Sequence, residues 1–431
     1  MAIDFSLLPP EQEMRDEPPS KLLWSVVFFT LTLLGVFAVL LLWPTSEPSQ
    51  TLWFWICLTL YPAGFAALAV SRRYSVYEGR RLEAREWNAA RERYIQNVFA
   101  KAKVPLAVVG SAYRFTDNDK INRAETIAQR ALVLKAQPSI AQSGTVTARW
   151  LAPAVLDRSR WLRGPDTIRQ DQVLGWLFDQ LLGDLVETLE GLPNELSLTV
   201  RLRVAADAVE SDVLSVWQSY WRSRKFRSAK VVVEASNPSL MIVDTWLDMD
   251  GGATRKCATL MVTVQLNEIL SKNPPDGTAE VGVALLLVPE DVVKRYALKR
   301  IALFHRPVQG VVDKLNDTLT NALRWGNADP TSFGRLWLSG LDEHSVAPLH
   351  AALSDTGVTA TRGEPPSEVD MDRTVGNAGA ASGWFSLACA AASAEEVGAP
   401  QLLVEQCGTD IVLAVVAPAL KPDNLHKGRP A

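Results

Sequence analysis

Cysteine and histidine are scarce in this chain of 431 residues. Only Cys57, Cys257, Cys389 and Cys407 occur, far apart and without a CxxC pair, which excludes zinc ribbons and leaves no disulfide framework to expect. The histidines are His305, His344, His350 and His426; none lies in HExxH or at helical spacing from a second ligand, so no metal is expected. GxSxG, GxxxxGK[ST] and GxGxxG are missing too, which removes the common nucleophile elbow and the common nucleotide cradles, and no cofactor is expected. Charge of one sign is also lacking: 44 basic against 48 acidic residues give a net charge of -4, which argues against nucleic acid as a partner. Apolar residues are plentiful, at 48% with 21% charged, and the length leaves room for two or three folding units at about 150 residues each.

Two stretches carry no charge at all. Leu22 to Trp43 is 22 residues long and Thr51 to Val70 is 20, each close to the roughly 20 residues that cross a hydrocarbon core of about 30 Å. Trp24, Trp43, Trp53 and Trp55 sit at their ends, where amphipathic rings prefer the interface. An acidic leader precedes the first stretch, which argues against a secretory signal peptide. The link Pro44 to Gln50 carries only Glu47, whereas Arg72, Arg73, Arg80, Arg81, Arg85, Arg91 and Arg93 follow the second stretch. The positive-inside rule then predicts a hairpin in a bacterial inner membrane, with both the leader and the bulk of the chain cytoplasmic and membrane lipid contacted through the hairpin. Without an ionisable residue in either span the hairpin reads as an anchor, and Pro62 as a mild kink. Glu78 to Lys103 reads as a spacer helix with Trp87, Ala90, Tyr94 and Val98 on one stripe.

Beyond Val104 short apolar runs alternate with helical periodicity. VPLAVV (104–109), LSLTVRLRV (196–204), AKVVV (229–233), LMVTVQL (260–266) and VGVALLLV (281–288) read as strands; 121–135, 172–189, 213–220 and 240–247 read as helices. Then 308–326, 345–354 and 382–393 read as helices, and 335–338, 401–405 and 411–416 as strands. Buried strands between helices predict a layered α/β domain with mixed sheets. The expected organisation is a leader (1–21), a transmembrane hairpin (22–70), an arginine-rich helix (71–103), two halves of an α/β domain (104–330 and 331–418) and a disordered tail (419–431).

The segment Thr374-Val375-Gly376-Asn377-Ala378-Gly379-Ala380-Ala381-Ser382-Gly383, leading into a helix and two strands, resembles the closing segment of thiolase-fold condensing enzymes, the β-ketoacyl synthases. Pro275-Asp276-Gly277-Thr278-Ala279-Glu280, leading into VGVALLL, is similar to that family's turn before a central strand. The resemblance covers about 230–418 and implies a thiolase-like core. It places a catalytic histidine of the family at Asn377, and asparagine is no general base at neutral pH. The family's cysteine has no counterpart near Asn237 to Leu240, and its first histidine motif is not legible between Leu336 and His350. With a membrane tether, the organisation also resembles the type VI secretion lipase-adaptor family.

That resemblance implies a non-enzymatic adaptor, a pseudoenzyme lacking the Cys/His/His set, which hands a lipase-type effector to a secretion-spike protein. On this reading Trp217 and Trp221, at i and i+4 beside Arg224, form an exposed aromatic and basic contact face, whereas Trp384 belongs to the core. The alternative is a membrane-tethered acyl-transferring or condensing enzyme using Cys257, which follows Arg255 and Lys256, or another residue. A structural component of an assembly is the third class. The sequence leaves the oligomeric state open.

Overall fold

The computed structural model describes every residue except 1–8, 14–17, 45–46, 130–131, 157–161, 163, 207–209, 236–238, 249–256, 360–367 and 420–431. The expected disordered tail, apart from Ala419, lies outside the described residues. The chain divides into two compact units, one running to Phe99 and the other starting at Ala100.

The first unit contains two helices long and apolar enough to cross a membrane. Helix α1 (Lys21–Leu42) starts where the Ser20 hydroxyl accepts from the Leu23 amide. The second helix opens at Leu52–Trp55, passes through a π-helical turn at Ile56–Leu60 and continues as α2 (Tyr61–Ala102). Pro62 lies just past that turn; it has no N–H to donate, and the wider turn absorbs the break in the hydrogen-bond ladder. A Cβ on Gly35 would come within 2.7 Å of the Pro62 side chain, so glycine is what lets the two helices approach there. From Ser71 to Phe99 the helix extends roughly 40 Å beyond its apolar part. The proline-rich leader lies along it. Prolines present carbonyls without competing N–H groups, and Arg91 and the Trp87 indole donate to Pro9 and Pro10 at 2.6 and 3.2 Å. Gln12 and Asn88 exchange two bonds of 3.0 Å.

The second unit is built on a repeated pattern of five strands. The first half comprises β1 (Leu106–Arg114), β2 (Ser197–Ala205), β3 (Lys230–Val233), β4 (Cys257–Gln265) and β5 (Val281–Pro289), in the order β3-β2-β4-β5-β1. The second comprises β6 (Ala302–Phe304), β7 (Arg335–Ser339), β8 (Glu368–Asp370), β9 (Gln401–Cys407) and β10 (Asp410–Pro418), in the equivalent order β8-β7-β9-β10-β6. Strand directions match as well. β2 is parallel to β3 and β4, β7 is parallel to β8 and β9, and the fifth strand of each half is antiparallel to both of its neighbours. The halves join by antiparallel pairing of β1 with β6, Leu106 opposite Phe304. The second half therefore begins at Ala302 and not at 331, because its first strand has only three residues and leaves no hydropathy signal.

Helices cover the sheets in layers. α3 (Asp166–Asp184) and α4 (Glu210–Ser223) pack on one face of the first sheet, α5 (Ile242–Asp248) and α8 (Ser382–Val397) lie between the sheets, and α6 (Leu315–Gly326) with α7 (Glu343–Asp355) covers the second. Strand alternation enforces this. Along β5, Val281, Val283, Leu285 and Leu287 face the middle layer while Ala284, Leu286 and Val288 face α3. Strands buried on both faces have no polar side to show, which explains the unbroken VGVALLLV. Two expected helices are shorter than the periodicity suggests. Among the described residues of 121–135 only Ala124–Ala128 is helical, and Val308–Val311 forms a strand on the edge of β10 before α6 begins.

Among the described residues two ion pairs are fully buried in this body. The Arg169 guanidinium of α3 grips both carboxylate oxygens of Glu280 at 2.9 and 2.6 Å, with neither side chain exposed. Glu280 also accepts from the Leu151 and Asn267 amides, both at 2.8 Å. Arg306, after β6, pairs with Asp244 of α5 at 2.6 Å. Removing one partner of such a pair strands a charge, which costs about 3–5 kcal/mol, whereas replacing both with apolar groups is close to neutral. Arg169→Met is expected to lower the stability of the full chain by that amount in a denaturant melt, and Glu280→Met added to it is expected to restore most of the loss.

Candidate functional site

The parallel strands of both halves end on the same side of the middle layer, where α5 and α8 begin. In open α/β sheets this end is where the strands stop and loops can hold a ligand. The two turns singled out in the sequence meet here. Asn377 donates its amide to the Gly277 carbonyl at 2.7 Å, and the Ala279 amide donates to the Asn377 carbonyl at 2.9 Å. Gly376 has φ +113° and its missing Cβ would lie 2.9 Å from that of Ala279, so the contact needs glycine. The Asn377 side chain is committed locally: Nδ2 donates to Asp372 Oδ2 at 3.2 Å and Oδ1 accepts from the Gly379 amide at 2.8 Å. Asp372 also accepts from the Gly340 amide at 2.9 Å. Burial raises the Asp372 pKa against the pull of those two donors. From β4, Gln265 Oε1 accepts from the Ala380 amide, which pins the turn before α8 to the first half.

Glu405 and Cys407, on β9, complete the cluster. Residues i and i+2 of a strand share a face, and this face looks onto the start of α8. A Cβ on Gly383 would come within 2.4 Å of the Glu405 carboxylate, so the carboxyl lies flush against the helix start. Burial pushes its pKa up to about 7, although the Leu240 and Gly383 amides and the Cys407 thiol act in the opposite direction. Glu405 Oε2 is buried and has no hydrogen-bond partner among the described residues. The same holds for Ser339 Oγ at the neighbouring end of β7, for Asp372 Oδ1, and for the Ser382 and Ser386 hydroxyls in the first turns of α8. Ser339 is the register partner of Glu405. The Cys407 thiol lies 3.8 Å from the Ser239 hydroxyl, just before α5. Its pKa is pushed up to about 11, first by burial and then by the Glu405 charge.

Several residues that the sequence pointed to lie elsewhere. Trp217 is fully enclosed and Trp221 nearly so; they stack at 5.6 Å, with Phe178 and Phe226 against them, beneath α4. Arg224 pairs with Asp179 of α3 at 2.7 Å. The expected aromatic contact face is therefore core, because the i, i+4 stripe of α4 is the face it turns toward α3 and the sheet. Cys257 is the buried first residue of β4, 3.2 Å from the Thr199 hydroxyl, at the opposite end of the strands from this site. His305 is buried after β6 with its pKa depressed to about 4 by desolvation, and His350 faces Glu368 at 3.6 Å on the outside. Trp384 is core as expected, stacked on Trp246 of α5. Among the described residues no cluster of His, Cys, Asp or Glu has metal-binding geometry. Glu405 escaped sequence reasoning, yet QLLVEQC carries a signal: a lone carboxylate in a strand buried on both faces.

No family model and no curated protein matches the chain by sequence. Solved structures match by fold. The ishigamide ketosynthase/chain length factor is 14% identical, with a TM-score of 0.51 over 73% of this chain and 100% of its own. The ketosynthase from module 6 of the bacillaene synthase of Bacillus subtilis 168 is 10% identical, with a TM-score of 0.52 over 74% of this chain and 72% of its own. A type II polyketide synthase ketosynthase, solved with its acyl-carrier protein and bound to the hexaketide, is 11% identical, with a TM-score of 0.50 over 74% and 99%. The fold is thus thiolase-like, in a chain with two candidate membrane helices. The expectation that the chain is not an enzyme is corrected by these matches, since the proteins sharing its fold are ketosynthases. That expectation rested on the unmatched cysteine and histidine positions of the resemblance, whereas the junction holds other titratable groups, Asp372, Glu405 and Cys407.

Glu405 makes stability depend on pH in a defined direction. Its folded pKa of about 7 lies above the ordinary 4.5, so its contribution is fully present below about 4.5 and is lost as pH rises to about 7. Buried His305, depressed from 6.5 to about 4, acts oppositely and loses its contribution as pH falls through that interval. In denaturant melts Glu405→Gln is expected to gain stability over the native chain progressively between about pH 4.5 and about pH 7, with a constant gain above.

Proposed function

We propose that this chain is a membrane-tethered thiolase-fold enzyme that takes an acyl group from a thioester and transfers it at the junction of its two halves. The observation that carries this reading is Glu405: a carboxyl buried at a cost, with one oxygen unpartnered, placed where both sets of parallel strands end. A group held near neutrality in such a place suits general acid–base work. The ketosynthase-like architecture favours acyl chemistry over other reactions of that kind. Room for an apolar chain exists at the far end of α5, in a cavity of about 230 Å³ lined by Val104, Leu106, Trp246, Leu247, Cys257 and Leu287. The hairpin holds the enzyme at the bacterial inner membrane with its body cytoplasmic, as the arginines after the second span favour. Detergent-solubilised full chain is expected to consume a medium-chain acyl-coenzyme A with release of free thiol at least about tenfold above buffer; a rate equal to buffer across chain lengths overturns the reading.

A delivery role for the same body is the second reading. It is supported by the combination that the lipase-adaptor resemblance implied, a pair of apolar helices ahead of a thiolase-like core, and it is compatible with catalysis. Affinity capture of the full chain from its host, followed by mass spectrometry, is expected on this reading to recover a lipase-type effector or a secretion-spike protein. Recovery of acyl carrier protein without either sinks it.

A further inference from the structure

We infer that a cavity between 132–137 and 148–150 binds a phosphate monoester with an apolar or aromatic body, its phosphate held by Arg149 and Lys135. The cavity lies outside the Glu405 cluster, and binding there does not depend on acyl transfer. Its volume of about 390 Å³ falls within the roughly 300–1,000 Å³ of small-molecule sites. Charge decides what it admits. Arg149 and Lys135 line it, and among the described lining residues there is no Asp or Glu. Among the described residues neither cation is paired with a carboxylate.

Arg149 is held in place from four directions. Its amide donates to the Thr278 carbonyl at 2.9 Å and its carbonyl accepts from the Glu280 amide at 3.0 Å. Its Nε donates to the Val375 carbonyl at 3.0 Å and one Nη to the Thr374 carbonyl at 3.3 Å, and the guanidinium lies 5.6 Å from the centroid of the Phe115 ring. A guanidinium carries five N–H donors, so three are left for a ligand. Burial lowers the Arg149 pKa, and no neighbouring carboxylate acts against it. A partly desolvated cation without a counter-charge is costly, and an anion in the cavity removes that cost. The facing wall is fixed as well: the Leu134 amide donates to the Arg373 carbonyl at 3.1 Å, and Gln137 pairs with Val146 in a two-stranded ribbon. Lys135 sits between these anchors. A phosphate monoester, with three oxygens and up to two charges, matches a guanidinium fork plus an ammonium better than a carboxylate does. Leu132, Val133, Leu134 and Trp150 supply apolar walls that inorganic phosphate leaves uncovered, so the ligand has a body beyond its phosphate.

Isothermal titration of detergent-solubilised full chain uses phenyl phosphate as the probe, with inorganic phosphate, benzoate and phenol as comparisons. Phenyl phosphate is expected to bind at least about tenfold more tightly than each of the three. Lys135→Met is expected to weaken it by about tenfold, the loss of one charge-assisted hydrogen bond, and Lys135→Arg to retain it. Arg149→Gln is expected to weaken it further. Because Arg149 also holds the 374–375 turn, an unchanged thermal melt is required of that variant, whereas Lys135 is exposed and its variants keep the test decisive if Arg149→Gln does not fold. Trp150→Ala is expected to weaken phenyl phosphate and to leave inorganic phosphate unchanged. Equal affinity for inorganic phosphate reduces the cavity to an adventitious anion site and overturns the inference. Equal affinity for benzoate overturns the phosphate class, and so does an unchanged affinity in Lys135→Met or no heat from phenyl phosphate up to about 10 mM.

Discussion

A helix sealed between two sheets is the constraint on which the second unit depends. α8 is buried along most of its length: Trp384, Phe385 and Leu387 fill the space around its first turns, while Gly383, Ala388, Cys389, Ala390, Ala391 and Ala394 leave its backbone close to strands of both halves. A helix with no polar face must be covered on all sides. The two sheets supply that cover, and their joining along β1 and β6 fixes how far apart they stand. Larger side chains would force the layers apart, and overpacking in a close-packed interior typically costs 1–3 kcal/mol. Because α8 cannot shift, its first turn is a fixed point, and the groups placed against it inherit that rigidity.

Charge then fixes the segments that packing alone would leave free. Glu280 holds the turn before β5 through Arg169 and two backbone amides, and the same turn carries Gly277 and Thr278, which pair with Asn377. Asp244 ties α5 to Arg306 beyond β6, so the short helix of the first half is anchored to the second. Buried pairs of this kind are weak contributors to net stability, yet they discriminate sharply against misplaced neighbours, since any arrangement that separates them strands a charge. The site at the junction is thus held from both halves, by small residues on one side and by ion pairs on the other.

Much of this was legible in the sequence, for physical reasons that also mark where legibility ends. Strands buried on both faces are continuous apolar runs, and β1, β4, β5 and β10 were located by them. Gly376 and Asn377 were singled out by a resemblance and do meet the Pro275–Glu280 turn in space. Two tryptophans on a helix beside arginines look the same whether the stripe faces solvent or a sheet, and only the sheet settles that Trp217 and Trp221 are core. Three-residue β6 is too short for any periodicity, so the second half seemed to open thirty residues later than it does. The cluster at Glu405 depends on contacts of Ser239 with Cys407, Gly340 with Asp372 and Gly383 with Glu405, separations that no local pattern encodes.

What a fold preserves when one residue changes follows from this arrangement. Asn377, where the resemblance places a histidine, cannot take a proton, but its carboxamide donates and accepts, and here it spends both on Asp372 and on the Gly379 amide. The turn keeps its shape while the proton-accepting capacity at this end of the sheets rests with carboxyls. Asp372 and Glu405 are both desolvated, and desolvation drives a carboxyl toward the range where it exchanges protons near neutrality. A buried acid next to a helix start is costly, and glutamine in the same position would spare the penalty of desolvating a charge. Low dielectric at the convergent strand ends is what raises the pKa of the carboxyls placed there.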